Sequence, residues 1–204
     1  MSEPPPVPPN SKSRDIGGEN GKLRFDSRDI ALTSVFASLY VVINVVQSNT
    51  IGNPTIYGPI QLRIADCLIP LAALFGIPVI AGLSMGCFIS NFIYFLGTQD
   101  VVFGTIANLI AATVVFLLRK HRLFACFIGA LPIGFIVGAE LAIFFSFMPP
   151  ENFILLGSVG GMILSVTLSS FITITLIGYT LLKALGRRNV IKPLESHGLK
   201  SAVE

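Results

Sequence analysis

The chain has 204 residues, 52% of them hydrophobic and only 12% charged, with a formal net charge of +3. A soluble domain averages about 25% charged residues, and nucleic-acid recognition needs a basic face on a folded domain. Neither an ordinary soluble enzyme nor a nucleic-acid partner fits. Between Ile30 and Leu182 the only charged residues are Arg63, Asp66, Asp100, Glu140, Glu151 and the cluster Arg119-Lys120-His121-Arg122. The positive balance therefore belongs to the tails and one loop.

Residues 1–28 read as a disordered cytoplasmic tail, Pro-rich from Met1 to Asn10 and polar to Arg28. Such a composition cannot bury enough surface to offset the entropy of ordering. It lacks the short apolar stretch and small-residue cleavage site of a secretory signal. Gly17-Gly18-Glu19-Asn20-Gly21-Lys22 is not a phosphate loop: its spacing is wrong, no Ser or Thr follows Lys22, and no strand precedes it.

Residues 29–186 form the body, an all-α integral membrane bundle of six transmembrane helices. The first span runs from Ile30 to about Gln47, entered through Asp29 as N-cap. The Gly-, Pro- and Asn-rich stretch Ser48–Ile60 is a loop. A short second span, about Leu62 to Phe75, is turned by Gly76-Ile77-Pro78 into a third ending near Leu96. Gly97-Thr98-Gln99-Asp100 is the next turn, with Asp100 placed to cap a fourth span reaching Leu118. The fifth span is the apolar run Leu123–Met148, long enough for ~30 Å of hydrocarbon. The last extends from near Phe153 to near Ala184, and its Gly157, Gly160 and Gly161 point to an irregular first turn, with strong tilt as the alternative. Residues 187–204 are a second tail.

Orientation follows from the Lys/Arg asymmetry. Lys22, Arg24 and Arg28 precede span one, Arg119, Lys120 and Arg122 follow span four, and Lys183, Arg187 and Arg188 follow span six. Six crossings put all three clusters on one face, the cytoplasm, with both termini inside the cell membrane.

The polar groups then acquire depths. Glu140 is about eight residues, ~12 Å, from the outer end of its span. An ionisable group at membrane depth costs roughly 2.5–3.5 kcal/mol, so it faces a partner, a cavity or a substrate. Arg63 and Asp66 open span two, Asn44 and Gln47 close span one, Asn91 lies in the outer half of span three, and Thr105 and Asn108 sit one to two turns into span four. Ser169 and Ser170 reach mid-membrane from span six. The pattern is that of an outward-facing pocket with a few polar groups, for which Tyr40, Tyr57, Phe92, Tyr94 and Phe135 offer stacking surfaces. Structural alternatives stand beside each: an Arg63–Asp66 or Arg63–Glu140 ion pair, Asp100 as a cap, Asn91 and Asn108 as inter-helix hydrogen bonds. Ala31, Ser34, Ala37 and Ser38 form a small-residue face on span one, suited to a membrane partner or to internal packing. Cys67, Cys87 and Cys126 have no paired or metal-ligand spacing and read as small buried hydrophobes.

Three segments carry a family resemblance: Gln61-Leu62-Arg63-Ile64-Ala65-Asp66, Asp100-Val101-Val102-Phe103-Gly104-Thr105 and Ile136-Val137-Gly138-Ala139-Glu140-Leu141. The chain resembles, from about Asp29 to Leu185, the queuosine-precursor transporter family, whose members are substrate-binding S components of energy-coupling factor (ECF) transporters. The resemblance implies a protein that captures a 7-deazaguanine base such as 7-aminomethyl-7-deazaguanine. Uptake would be energised by a separate T component and two ATPase subunits, with no cofactor and no enzymatic activity in this chain. The small-residue face of span one matches where S components meet the T component. One departure is Ser169-Ser170, where many members carry Gly-Glu in register with Gly178; it removes a carboxylate partner for a cationic aminomethyl group and leaves Glu140 as the only carboxylate deep in the outer cavity. A carboxylate accepts two adjacent N–H donors of a guanine edge in bidentate fashion, and Asn44, Gln47, Asn91 and Asn108 are candidates for the remaining base atoms. The competing readings are a proton-driven carrier or an S component for another vitamin, and a membrane-embedded enzyme using Glu140, which lacks any His or Cys pair in the spans.

Overall fold

The computed structural model describes residues 26–50, 62–146 and 159–187. The Pro-rich tail to Phe25, most of the first loop with Tyr57, the Met148–Asn152 turn, the start of the last span and the C-terminal tail beyond Arg187 lie outside the described residues. Among the described residues every regular element is helical. Within the described residues the protein is all-α, with six apolar helical segments, four of them long enough to cross a membrane.

Helix α1 is Ser27–Thr50. Its first turn closes through two acids: Asp26 Oδ1 accepts from Ser27 N at 2.8 Å, and Asp29 Oδ2 from Asp26 N at 3.1 Å. Asp29 thus sits inside the helix and bonds back, one turn later than a cap. The helix also continues through Ser48, Asn49 and Thr50, where turn composition led to the expectation of a loop. Asn49 Nδ2 and Thr50 Oγ1 each donate to a carbonyl four residues back, at 2.7 Å, and are satisfied within the helix.

The second span is short and unusual. A 3₁₀ segment, Ile64–Leu71, contains Pro70 and runs into a single α turn, α2 (Ala72–Phe75). At ~2.0 and ~1.5 Å per residue it measures roughly 22 Å, short of a ~30 Å hydrocarbon core. Every residue from Ala65 to Leu74 is buried. The segment is the axle of the bundle, touched by α1, α3 (Ile77–Ile93), α4 (Thr98–Leu117), α5 (Arg122–Ser146), a π-helical segment Phe171–Gly178 and α7 (Tyr179–Leu185). Helix α6 (Val159–Ser170) leads into the π segment, so the last span is one long rod of changing pitch. Gly178 lets that rod touch the axle: a Cβ there would lie 2.7 Å from Pro70 and 2.9 Å from the Cys67 carbonyl oxygen.

Ser27–Thr50, Thr98–Leu117, Arg119–Ile143 and Gly160–Leu185 are long and apolar enough to cross a membrane, while Ile64–Phe75 and Ile77–Ile93 are shorter apolar helices. Their outer faces carry large apolar side chains such as Val42, Phe88, Leu109, Phe127 and Leu168, each at least 44% exposed, as lipid contact requires. With lipid as apolar as Leu, close approach rather than a hydrophobic force holds such helices together. Two crossings show it. Gly82 and Gly86 of α3 press on α1, where a Cβ on Gly86 would stand 2.8 Å from the Ala37 carbonyl oxygen. Gly134 and Gly138 of α5 press on α6, where a Cβ on Gly138 would stand 2.7 Å from Ile163 Cα.

Consecutive spans run antiparallel, which gives the bundle two poles. Arg119, Lys120, His121, Arg122, Lys183 and Arg187 mark a basic pole, with the Arg119 guanidinium 4.6 Å from the Phe116 ring centre. The axle points its charged start, Arg63 and Asp66, toward the opposite pole.

Candidate functional site

The axle begins where α1 ends. Gln47 grips it by backbone, donating through Nε2 to the Leu62 carbonyl and accepting from Ile64 N at 2.9 Å. Arg63 is the extended residue before the first 3₁₀ turn. In a 3₁₀ helix residues three apart eclipse, so Arg63 and Asp66 share one side and line one cavity.

Asp66 anchors a polar network in the bundle centre. Tyr40, fully buried, donates its hydroxyl to Asp66 Oδ1 at 2.7 Å, and Asn108 Nδ2 donates to that same hydroxyl at 2.9 Å. Elements α1, axle and α4 are thereby tied at one point. Arg63 Nη1 reaches Cys87 Sγ on α3 at 3.8 Å. With Ile133, Val137, Val166, Ser170 and Thr173 these two charged residues enclose a cavity of about 10 Å³, room for one water.

Glu140 belongs to a different space. It lines a cavity of about 310 Å³ with Gln99, Phe103, Ile136, Ala139 and Ile143, between α4 and α5. Glu140 is 7% exposed, and its Oε2 accepts no hydrogen bond. Arg63 is close enough to attract both Glu140 and Asp100 as well as Asp66. Asp100 is 2% exposed with Oδ1 likewise lacking a hydrogen bond. It caps nothing: the residue before α4 is Gly97, and no side chain caps the helix. Glu140 is the one carboxylate among the residues lining that cavity, with Asp66 and Asp100 buried outside its lining at the same pole.

The other expected residues divide. Asn91 donates to the Asp100 carbonyl at 3.1 Å and pins α3 to α4. Asn44 is buried but turned onto its own helix, bonding the Tyr40 carbonyl at 3.2 Å, and Thr105 bonds Val101 O at 2.6 Å. Ser169 Oγ is buried without a partner, while its carbonyl accepts from Thr173 at 2.9 Å. Of the aromatic residues, Phe92 and Phe135 are 65% and 58% exposed and face outward, Tyr94 is half-buried, and Tyr40 serves as a hydrogen-bond hub. Phe103 and Gln99 take the place at the Glu140 cavity that those aromatics were expected to fill; their i,i+4 spacing, with Glu140 on the facing helix, was the available signal. On α1, Ala37 is buried against Gly86, whereas Ala31, Ser34 and Ser38 are exposed beside Val35 and Val42. Among the described residues no group of three or more His, Cys, Asp or Glu side chains is arranged to hold a metal.

Chemically, one cavity offers an acceptor carboxylate and an aromatic ring in an open, largely apolar groove between α4 and α5. The other, beside Arg63 and Asp66, has room for about one water. The family model of the QueT transporter matches residues 30–187. The queuosine precursor transporter QueT of Lactococcus lactis subsp. cremoris (strain MG1363) is 36% identical over 83 residues, which is 40% of this chain and 46% of that protein. The match thus spans under half of that relative's length. No solved structure matches the chain significantly.

Proposed function

The chain belongs to the QueT transporter family, and from that membership we propose that it is the substrate-binding subunit of an ECF-type importer for a queuosine precursor, a 7-deazaguanine base. The observation that carries the proposal is Glu140: a buried carboxylate, one oxygen of which has no hydrogen-bond partner, lining an open and mostly apolar cavity of about 310 Å³ together with Phe103. That volume lies at the lower end of ligand pockets, ~300–1,000 Å³, and suits a flat bicyclic base. Glu140 accepts the two adjacent N–H groups of the guanine edge, Phe103 offers a face to the ring, and Gln99 addresses the polar rim. A shielded carboxylate discriminates strongly, because an analogue without the donors leaves the charge unpaired.

Transport is energised by a separate T component and two ATPase subunits. The protein crosses the cell membrane several times with both termini in the cytoplasm, its basic pole obeying the positive-inside rule. The exposed face of α1, with Ala31, Ser34 and Ser38, meets the T component, whereas Ala37 is committed to α3.

The test is binding of 7-aminomethyl-7-deazaguanine by full-length protein in lipid nanodiscs. Glu140→Gln should weaken it by roughly two to three orders of magnitude, and unchanged affinity sinks the guanine-edge role. Uptake by cells should require the T component and ATPases; uptake by this chain alone, abolished by a protonophore, would make it a secondary carrier. Leu at Ala31 and Ser38 should impair assembly and spare binding, and intact assembly would remove that face from the interface.

A further inference from the structure

We propose that the basic pole holds the phosphate headgroup of an anionic phospholipid, seated between the first turn of α5 and the end of α7, with the acyl chains lying along the apolar side of α5.

The fold assembles this surface from segments far apart in the chain. Arg119, Lys120 and Arg122 come from the turn between α4 and α5, and Lys183 and Arg187 from the end of the last span. Two of the guanidinium groups have fixed seats. The Phe116 ring lies against the turn between α2 and α3, where a Cβ on Gly76 would stand 3.3 Å from it, and Arg119 rests 4.6 Å from the centre of that ring. Arg122 reaches across to the end of α7. A Cβ on Gly186 would stand 3.1 Å from Arg122 Nη1 and 2.8 Å from the Leu182 carbonyl oxygen, so the glycine leaves the space that the guanidinium uses. A long basic side chain at such a place lays its stem on apolar surface and lifts its charge to headgroup level. Among the described residues the acids at this pole are Asp26 and Asp29. Both bond into the first turn of α1, whose main packing partners are α3 and the axle.

Next to the cations the surface turns apolar. Leu117, Leu123 and Phe124 are each at least 54% exposed, and Phe127 stacks on Phe171 of the last span with ring centres 4.5 Å apart. Fixed cations beside an apolar wall match an amphiphile with an anionic head. Inorganic phosphate would use the cations and leave the wall aside. Phosphatidylcholine would use the wall but brings its own cation to the headgroup. Arginine suits the phosphate, because its planar fork meets two oxygens at once, and basic pockets between spans are a known way of holding such headgroups.

Native mass spectrometry of the full-length protein, titrated with dioleoylphosphatidylglycerol or dioleoylphosphatidylcholine, tests this. The anionic lipid should bind at least about tenfold more tightly, and an equal concentration of inorganic phosphate should not displace it. Arg122→Gln should weaken phosphatidylglycerol binding about tenfold or more. Lys120→Gln removes the same charge from the same turn, at an exposed residue, and should weaken it less than about threefold. Equal binding of the two lipids, or displacement by inorganic phosphate, overturns the proposal. Equal losses in the two variants overturn it as well, since they would reduce the site to a diffuse positive field. If Arg122→Gln does not fold, Arg187→Gln takes its place on an exposed residue, and a loss no greater than that of Lys120→Gln counts against the site.

Discussion

Asp66 and Glu140 are carboxylates at the same pole of one bundle, and the fold surrounds them in opposite ways. Asp66 stands at the start of the axle, met by the Tyr40 hydroxyl and flanked by Arg63, in a space that admits about one water. Glu140 stands in the last third of α5, its Oε2 without a donor, beside an open cavity of about 310 Å³. A carboxylate whose hydrogen bonds are made internally holds helices in place. One with an oxygen left without a donor, at a comparable cost of burial, has an acceptor to offer a ligand. The contrast distinguishes the two carboxylates more sharply than burial does, since they are 3% and 7% exposed.

The largest effect should follow from breaking the scaffold carboxylate. Asp66→Ala removes the carboxylate that shares a cavity with Arg63 and leaves the buried Tyr40 hydroxyl without its acceptor, at about 1–3 kcal/mol for the orphaned donor and more where a charged group loses its neighbour. Thermal melting of the purified protein should show a sharply lowered midpoint, and a melt equal to the native one would strip Asp66 of its structural role. Glu140→Gln should do the reverse. Binding should fall by roughly 10²–10³, about 3–4 kcal/mol, while the melting midpoint holds or rises because an uncompensated charge has gone. A large drop in stability with binding intact would exchange the two roles.

Tyr40→Phe probes the network more gently. It removes one hydroxyl, leaving the Asn108 amide and one Asp66 oxygen to find other partners, at about 1–3 kcal/mol. The cost should appear in the melt, with ligand affinity lowered far less than by Glu140→Gln. Greater damage to affinity than to stability would mean that the network shapes the ligand cavity directly.

Much of this architecture was legible in the sequence, because it follows from composition along a line. Apolar runs gave the spans, and the clusters at Arg119–Arg122 and Lys183–Arg187 gave the basic pole. The Glu140 run announced a costly buried charge. What was not legible depends on contacts between distant segments. Asp100, after Gly97 and at a helix start, looks like a cap, and only the burial of its side chain shows otherwise. The 3₁₀ pitch that aligns Arg63 with Asp66 goes with Gly178 lying against Pro70, more than a hundred residues away in the chain. The pairs Gly82/Gly86 and Gly134/Gly138 could have been read, since small residues four apart mark close crossings. On α1 the same spacing of small residues turns Ala37 inward and leaves Ala31, Ser34 and Ser38 facing out.

The smallest effect bears on the comparison most directly. Ser170 occupies the position where relatives of this kind were expected to carry a carboxylate, and here it lines the one-water cavity with Arg63, Asp66 and Thr173. If that cavity is scaffold, a ligand never enters it. Ser170→Ala then removes a hydroxyl beside a single water, and both stability and affinity should change by less than about 1 kcal/mol, within the range of one modest hydrogen bond. The measurement is the same nanodisc calorimetry used for Glu140→Gln. A loss of affinity beyond about tenfold would place the ligand against Ser170 and hence against Arg63, and the two cavities would have to open into one when the ligand binds. An affinity that holds keeps Glu140 as the charge that faces the ligand, and assigns Arg63 to balancing carboxylates rather than to touching the base.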